Sequence, residues 1–406
     1  MSARRTAATP ENPKMKKPTA IGSAAAAAAV LALACAHAGA QTSVTYLETS
    51  KAWSSVVADF NRDGHDDLFV EGHDGGEDRI WFWTAGGYLP SPFTFPSVDR
   101  HACTAADVNQ DGLMDMYCAV GAERRTGLKA NELWIQQPNG QFKSVLNFGA
   151  ESPSDSSRYP LFFDLNHDGF PDLYSSSEDV PRDDGLPDYN HVYINNRDTT
   201  FTEVQTLATG ETGWKCVSKG DVNGDGWDDL IVCSQAGNAQ IYVNNHANDF
   251  TLLASPAISQ WRDAKLVDLN GDGRDDLVVV DWNNLLSVYL NTGSSPYYVT
   301  PVFKNQLTRG VPQNIAIGDF NQDGRLDIYV TMEASTCEND ATGLVDTSPD
   351  VMFWGAAGNT WTKETLTTTT FAGCGHRADT IDGNKVLLEN GGVGYRGPNF
   401  VLSWLK

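Results

Sequence analysis

Apolar residues in this chain come in short runs rich in Val, Ile, Leu and aromatic side chains, set apart by clusters of Asp, Asn and Gly. Runs of that length and composition predict strands. The polar insert between two runs is the same six times over, Asp-x-Asn-x-Asp-Gly-x-x-Asp. It begins at Asp59 (DFNRDGHDD), Asp107 (DVNQDGLMD), Asp164 (DLNHDGFPD), Asp221 (DVNGDGWDD), Asp268 (DLNGDGRDD) and Asp319 (DFNQDGRLD). The starts lie 48, 57, 57, 47 and 51 residues apart. That period predicts one supersecondary unit repeated as a propeller blade or solenoid turn, not a set of separate domains.

Between inserts one order recurs: strand a, polar loop, strand b, a variable loop, an aromatic strand c, a short Gly or Asn turn, and strand d. The first unit reads SSVVADF, DDLFV, RIWFW and YLPSPFTF, and strand c returns as ELWIQQ, HVYINN, AQIYVNN, LSVYLN and VMFWGA. Four antiparallel strands per unit arranged radially is the propeller plan. Residues 374 to 406 predict a seventh, degenerate unit (CGHRADTID, KVLLENG, NFVLSWLK) with a short Asp-Gly-Asn turn in place of the polar loop. This unit stops after strand c. The segment SVTYLETS, residues 43 to 50, has no other partner and is expected to supply the missing strand d, which would remove the open edges. The predicted fold class is all-β: a seven-bladed β-propeller of four-stranded antiparallel blades over residues 41–406, closed by an N-terminal strand that completes the last blade.

The composition of the insert points to calcium. A hard cation of that kind takes six to eight oxygen ligands, and alternate positions of a tight loop can aim side chains at one point. The expected donors in the first loop are Asp59, Asn61, Asp63 and Asp67 with the backbone carbonyl of His65. The equivalent sets are Asp107, Asn109, Asp111, Leu113 and Asp115; Asp164, Asn166, Asp168, Phe170 and Asp172; and Asp221, Asn223, Asp225, Trp227 and Asp229. The last two are Asp268, Asn270, Asp272, Arg274 and Asp276, then Asp319, Asn321, Asp323, Arg325 and Asp327. Six Ca2+ ions are expected. Glycine holds position six in every copy, where the chain must turn sharply and a Cβ is expected to clash. Plain polar turns use the same residue types, but six intact copies favour ligation. A helix-loop-helix calcium site needs a glutamate at position twelve, where this chain has Val70, Cys118, Ser175, Val232, Val279 and Val330.

With these motifs in place, the chain from about residue 43 to its end resembles the FG-GAP (integrin-α-like, VCBS-type) seven-bladed propellers, whose calcium loops have this spacing and join the first two strands of a blade. It departs from the integrin propellers in carrying six loops where they carry fewer, and it is expected to lack an appended leg or membrane anchor. The resemblance implies fold and calcium more firmly than it implies a ligand.

Residues 1–40 are expected to be an export signal, with Met15 a second candidate start. Met15-Lys16-Lys17 opens a basic segment, residues 20 to 36 are rich in alanine and leucine, and Ala38-Gly39-Ala40 offers a small-residue cleavage site. A lipid anchor at Cys35 matches its motif poorly, because Ala32 stands where leucine is usual. No other stretch has the length and hydropathy of a transmembrane span. Localisation is expected to be secreted, periplasmic or at the cell surface, as a monomer. Removing residues 1–40 leaves 24 basic and 51 acidic side chains, a net charge of −27, which argues against nucleic acid as a partner. Six cysteines remain, an even number that suggests disulfides in an exported chain. Cys103 with Cys118 and Cys216 with Cys233 fall opposite each other across an a–b hairpin, and Cys337 with Cys374 pair by elimination.

The a–b loops share one rim, so the other rim is free to diversify, and its longest b–c connections are residues 121 to 132, 177 to 191 and 332 to 350. Six residues before the first Asp of each repeat, with Asp382 standing in for blade seven, the chain has Trp53, His101, Arg158, Lys215, Arg262, Gln313 and His376. Five of these seven are basic, and Tyr159, Trp214 and Trp261 sit beside them. These residues are the candidate ligand-binding ring, unless the acidic b–c residues Asp183, Asp184, Asp188, Asp340 and Asp346 simply neutralise them. Three function classes follow: an extracellular recognition module for a glycan or protein, a polysaccharide lyase acting on acidic glycans, and a structural surface or assembly protein. In the lyase an arginine would neutralise a uronate while His101, His376 or Tyr159 handled the proton.

Overall fold

The computed structural model describes residues 41–47, 52–72, 78–120, 130–152, 157–177, 189–207, 214–234, 239–253, 261–308, 310–333, 349–366, 376–390 and 399–405. Residues 1–40, Cys337, Cys374 and the five acidic b–c residues named above lie outside them. The described residues form seven four-stranded antiparallel sheets and no helix. None of them therefore forms a helix long and apolar enough to cross a membrane.

Strands a are Ala52–Ala58, Arg100–Ala106, Ser157–Phe163, Trp214–Gly220, Trp261–Val267, Val311–Gly318 and His376–Ile381. Strands b are Asp67–Gly72, Asp115–Val120, Asp172–Ser177, Asp229–Ser234, Asp276–Asp281, Asp327–Glu333 and Lys385–Asn390. In six blades, strand b opens on the ninth residue of the polar insert. Each a strand lies against the next, and that of blade seven returns to that of blade one, so the a strands surround the axis. The seventh sheet takes three strands from the C-terminus, and Gln41–Leu47 pairs antiparallel with the outer one, Asn399–Leu405, over seven rungs from Gln41↔Leu405 to Leu47↔Asn399. The added strand thus begins two residues earlier than SVTYLETS suggests.

The core is distributed over seven interfaces, one between each pair of adjacent blades, because a single four-stranded sheet cannot bury both its faces alone. Among the described residues, the interface of blade seven with blade one buries Leu68, Val70, Tyr88, Ile381 and Val401. Polar contacts reinforce that seam. Asp66 N donates to Asp382 Oδ1 at 2.9 Å and Asp382 N donates to Asp66 Oδ2 at 2.7 Å. On its other side blade seven is held by Asp319 N donating to Gly383 O at 3.0 Å and Thr380 Oγ1 donating to Ile317 O at 2.9 Å.

Cys103↔Cys118 and Cys216↔Cys233 are register partners and are disulfide-bonded, as the sequence offsets predict. Their sequence separations of 15 and 17 residues correspond to about 3 kcal/mol each in the chain-entropy account.

Candidate metal loops and a bulged ring on the opposite rim

All six polar loops share one backbone path. Position six is glycine with φ between 79° and 86° (Gly64, Gly112, Gly169, Gly226, Gly273, Gly324), and position four is also left-handed (Arg62, Gln110, His167, Gly224, Gly271, Gln322). The expected reason for the glycines needs correcting. A Cβ added at Gly64, Gly226, Gly273 or Gly324 would meet no neighbouring atom within 4 Å, so the backbone angle selects glycine and crowding by neighbours does not.

Within each loop the carboxylates close the turn. Asp59 accepts from Asp63 N at 3.1 Å and Gly64 N at 2.9 Å, and Asp63 Oδ1 accepts from His65 N at 3.0 Å; the other five loops repeat this. In this arrangement no group of three or more His, Cys, Asp or Glu side chains is gathered as a metal site among the described residues. The donor set nonetheless suits a hard cation. Each loop presents three carboxylates, an amide oxygen and a backbone carbonyl within nine residues. Four position-five carboxylates also meet a basic side chain: Asp168 with Arg197, Asp225 with His246, Asp272 with Arg274 and Asp323 with Arg325.

Position nine does something its sequence does not announce. Asp67, Asp115, Asp172, Asp229, Asp276 and Asp327 have no exposed surface. One oxygen of each accepts from the N–H of position two, and the other accepts from the N–H at the end of strand c: Trp83, Gln136, Asn195, Asn244, Asn291 or Gly355. Four of those strand ends then reach back one blade. Gln136 donates to Phe60 O, Asn195 to Val108 O, Asn244 to Leu165 O and Asn291 to Val222 O, all at 2.8 to 2.9 Å. The recurring Asn or Gln at the end of strand c was the available signal for this inter-blade staple.

With no cation bound, the position-nine carboxyls titrate high, at about 6 in Asp67, Asp276 and Asp327 and about 7 in Asp115, Asp172 and Asp229. Burial is the main cause; the backbone donors oppose it, and the position-five carboxylate adds to it. An unfolded aspartate titrates near 3.8, so the folded, cation-free chain keeps these protons to higher pH. The stability they contribute is fully present below about pH 3.8 and lost as pH rises through about 6 to 7. Melting curves in excess chelator should accordingly show a less stable protein near pH 8 than near pH 5. Equal or greater stability near pH 8 would contradict this.

The opposite rim has its own repeat. The a–b register skips one residue at the start of strand a in six blades, and the skip falls at Trp53, His101, Arg158–Tyr159, Lys215, Arg262 and Gln313–Asn314. These β-bulges include the ring positions of the first six blades. In blade seven His376↔Asn390 is paired without a skip. The bulge leaves an extra backbone N–H, which Ser176 Oγ accepts from Tyr159 and Thr331 Oγ1 accepts from Asn314. Side chains are described for only part of the ring. His101 is 4% exposed with Nε2 3.4 Å from Asp99 Oδ2, and Arg158 is 9% exposed. Tyr159, Arg262 and Gln313 are half-buried, Arg262 Cζ lies 3.6 Å from the Trp282 ring centroid, and Trp261 is buried between blades four and five. His101, Arg158, Tyr159, Arg262 and Gln313 all have interaction partners. For Trp53, Trp214, Lys215 and His376 only the strand register is described.

Comparisons with known proteins agree with this architecture. The crystal structure of BBS1N in complex with ARL6DN, soaked with lead, is 12% identical with a TM-score of 0.55, covering 87% of this chain and 92% of that one. The same complex soaked with mercury gives 11%, 0.53, 89% and 97%. A Lactobacillus plantarum protein is 14% identical with a TM-score of 0.49 over 78% of this chain and 85% of that one. At these identities the first two show the fold alone, and the third adds no argument. No curated protein sequence matches. A family model described as FG-GAP-like repeat matches residues 59–118, 107–175, 182–232 and 268–330, together more than half of the chain. With six a–b loops of one motif and one backbone path set in seven radial blades, this chain belongs to the FG-GAP-like repeat family of β-propellers.

Proposed function

We propose that this protein is an exported recognition module in which each of the six a–b loops holds one calcium ion and the bulged rim binds an acidic glycan or an acidic protein segment. The bulge carries this reading. A β-bulge re-aims a side chain, and bulges gather beside functional sites; here one recurs at the same position of six blades, where His101, Arg158, Lys215 and Arg262 stand. Basic groups collected around an axial mouth focus a local positive potential even in a protein of strongly negative net charge, and arginine suits planar carboxylates or sulfates. Calcium would be held by the three carboxylates, the asparagine and the position-seven carbonyl of each loop, and it would neutralise their mutual repulsion. The two disulfides support export into an oxidising compartment.

Binding to immobilised uronic acid polymers and to a poly-glutamate peptide tests the reading. Affinity for at least one should fall steeply with added salt and drop at least about tenfold in Arg158→Ala with Arg262→Ala, with calcium content unchanged. Wild-type binding to neither polymer would refute it. Release of unsaturated sugar products would replace it with the lyase reading.

A further inference from the structure

The bulged end of blade five holds two buried indole N–H groups that lack an acceptor among the described residues. Trp261 has no exposed surface and Trp282 is half-buried, and neither Nε1 has a hydrogen-bond partner among the described residues. Such donors are rare in folded proteins, because a buried N–H that has lost water and gained nothing is destabilising. Both arise at one place. Trp261 is the register partner of Asp281, Trp282 is the next residue, and the extra residue of the bulge, Arg262, follows Trp261 directly. The guanidinium of Arg262 is stacked on the Trp282 ring at 3.6 Å.

A short, hydrogen-bonded turn fixes the geometry at this end of the blade. Only residues 282–284 connect strand b to strand c (Leu285–Tyr289), whereas the connections from Val120, Ser177 and Glu333 are far longer. Asp281 Oδ1 accepts from Asn283 N and Leu285 N, each at 2.9 Å, which pins the turn that carries Trp282. A bulge and a three-residue turn thus fix the donors before any ligand arrives.

We propose that this end of blade five is a subsite for the carboxylate or sulfate of an acidic saccharide, with Trp261 Nε1 and Trp282 Nε1 donating to its oxygens and Arg262 supplying the charge. The proposal rests on the recognition reading above and specifies its ligand and its blade. Preset donors favour a sugar acid over an acidic peptide. The saccharide carries its anionic group on a rigid ring, while an aspartyl or glutamyl side chain loses more conformational freedom on being held.

The test is Trp282→Phe and Trp261→Phe, each of which deletes an N–H and keeps an aromatic ring, titrated calorimetrically with a galacturonate hexasaccharide and its carboxyl-reduced neutral counterpart. Each variant should bind the acidic oligosaccharide roughly tenfold more weakly, with the neutral one bound poorly throughout. The melting temperature of ligand-free Trp282→Phe should hold or rise, since the deleted donor had no partner. Should Trp261→Phe fail to fold because of its place in the core, Trp282→Phe decides alone. Unchanged affinity in Trp282→Phe, or a lower melting temperature without a loss of affinity, overturns the subsite. If the wild type still binds acidic polymers in that case, the broader reading stands. If the wild type binds neither the hexasaccharide nor the polymers, both fall.

Discussion

Excess chelator should lower the melting temperature drastically, by more than any single substitution in the chain. A ligand bound only by the folded state contributes about 2.7 kcal/mol per site when its free concentration is a hundredfold above Kd. Six such loops would then contribute on the order of 16 kcal/mol, comparable to or above the whole stability of an ordinary domain. Elemental analysis should find six calcium ions per chain. Single substitutions divide the loop into two kinds of position. Asp225→Ala removes a loop carboxylate that is partly exposed, and it should cost one ion and little else. Asp229→Ala should cost more, because it also leaves the buried N–H groups of Val222 and Asn244 without an acceptor, about 1–3 kcal/mol each. A protein that melts at the same temperature in chelator and contains no calcium would refute the calcium reading outright.

Removal of residues 41–47 should have the second largest effect. That segment pairs with Asn399–Leu405 along its whole length, so its loss exposes a seven-residue edge with unpaired N–H and C=O groups. The affected blade also meets blade one at the point of closure, where the reciprocal Asp66 and Asp382 hydrogen bonds close the ring. The truncated chain is expected to aggregate and to melt well below the full-length protein. Size-exclusion chromatography and thermal melts check this, and a monomeric truncation of native stability would show that closure does not depend on the strand.

Much of the fold was legible because its signals are local. The nine-residue insert contains its own turn chemistry, and flanking runs of Val, Ile and Phe identify the two strands that it joins. Counting outward from Asp107 and Asp221 was enough to pair Cys103 with Cys118 and Cys216 with Cys233, since antiparallel register follows once the turn is placed. The glycines at position six were legible as turn residues, but their cause was not. Only the backbone angle, with open space around Gly64, shows that φ and not crowding selects them.

The candidate ring was half legible. Its offset from each loop stood out in the sequence, but the reason for that offset, a recurring register skip, requires both strands of the hairpin to be seen together. Burial of His101 and Arg158 was not legible at all, because it depends on what neighbouring segments place above them. The stack of Arg262 on Trp282 joins residues from strand a and from the b–c turn, and no spacing rule links those two positions.

By itself, then, the sequence determined whatever repeats within one blade: the period, the strand order, the place of each polar loop and the two hairpin disulfides. Each of these depends on neighbours a few residues away, where spacing translates directly into geometry. Tertiary structure decided whatever passes between blades or across a strand pair. It made the position-nine aspartates buried hubs, turned Gln136, Asn195, Asn244 and Asn291 into staples to the preceding blade, and set Gln41–Leu47 beside Asn399–Leu405. Those partners lie tens to hundreds of residues apart along the chain, so only the closed ring brings their donors and acceptors within hydrogen-bonding distance.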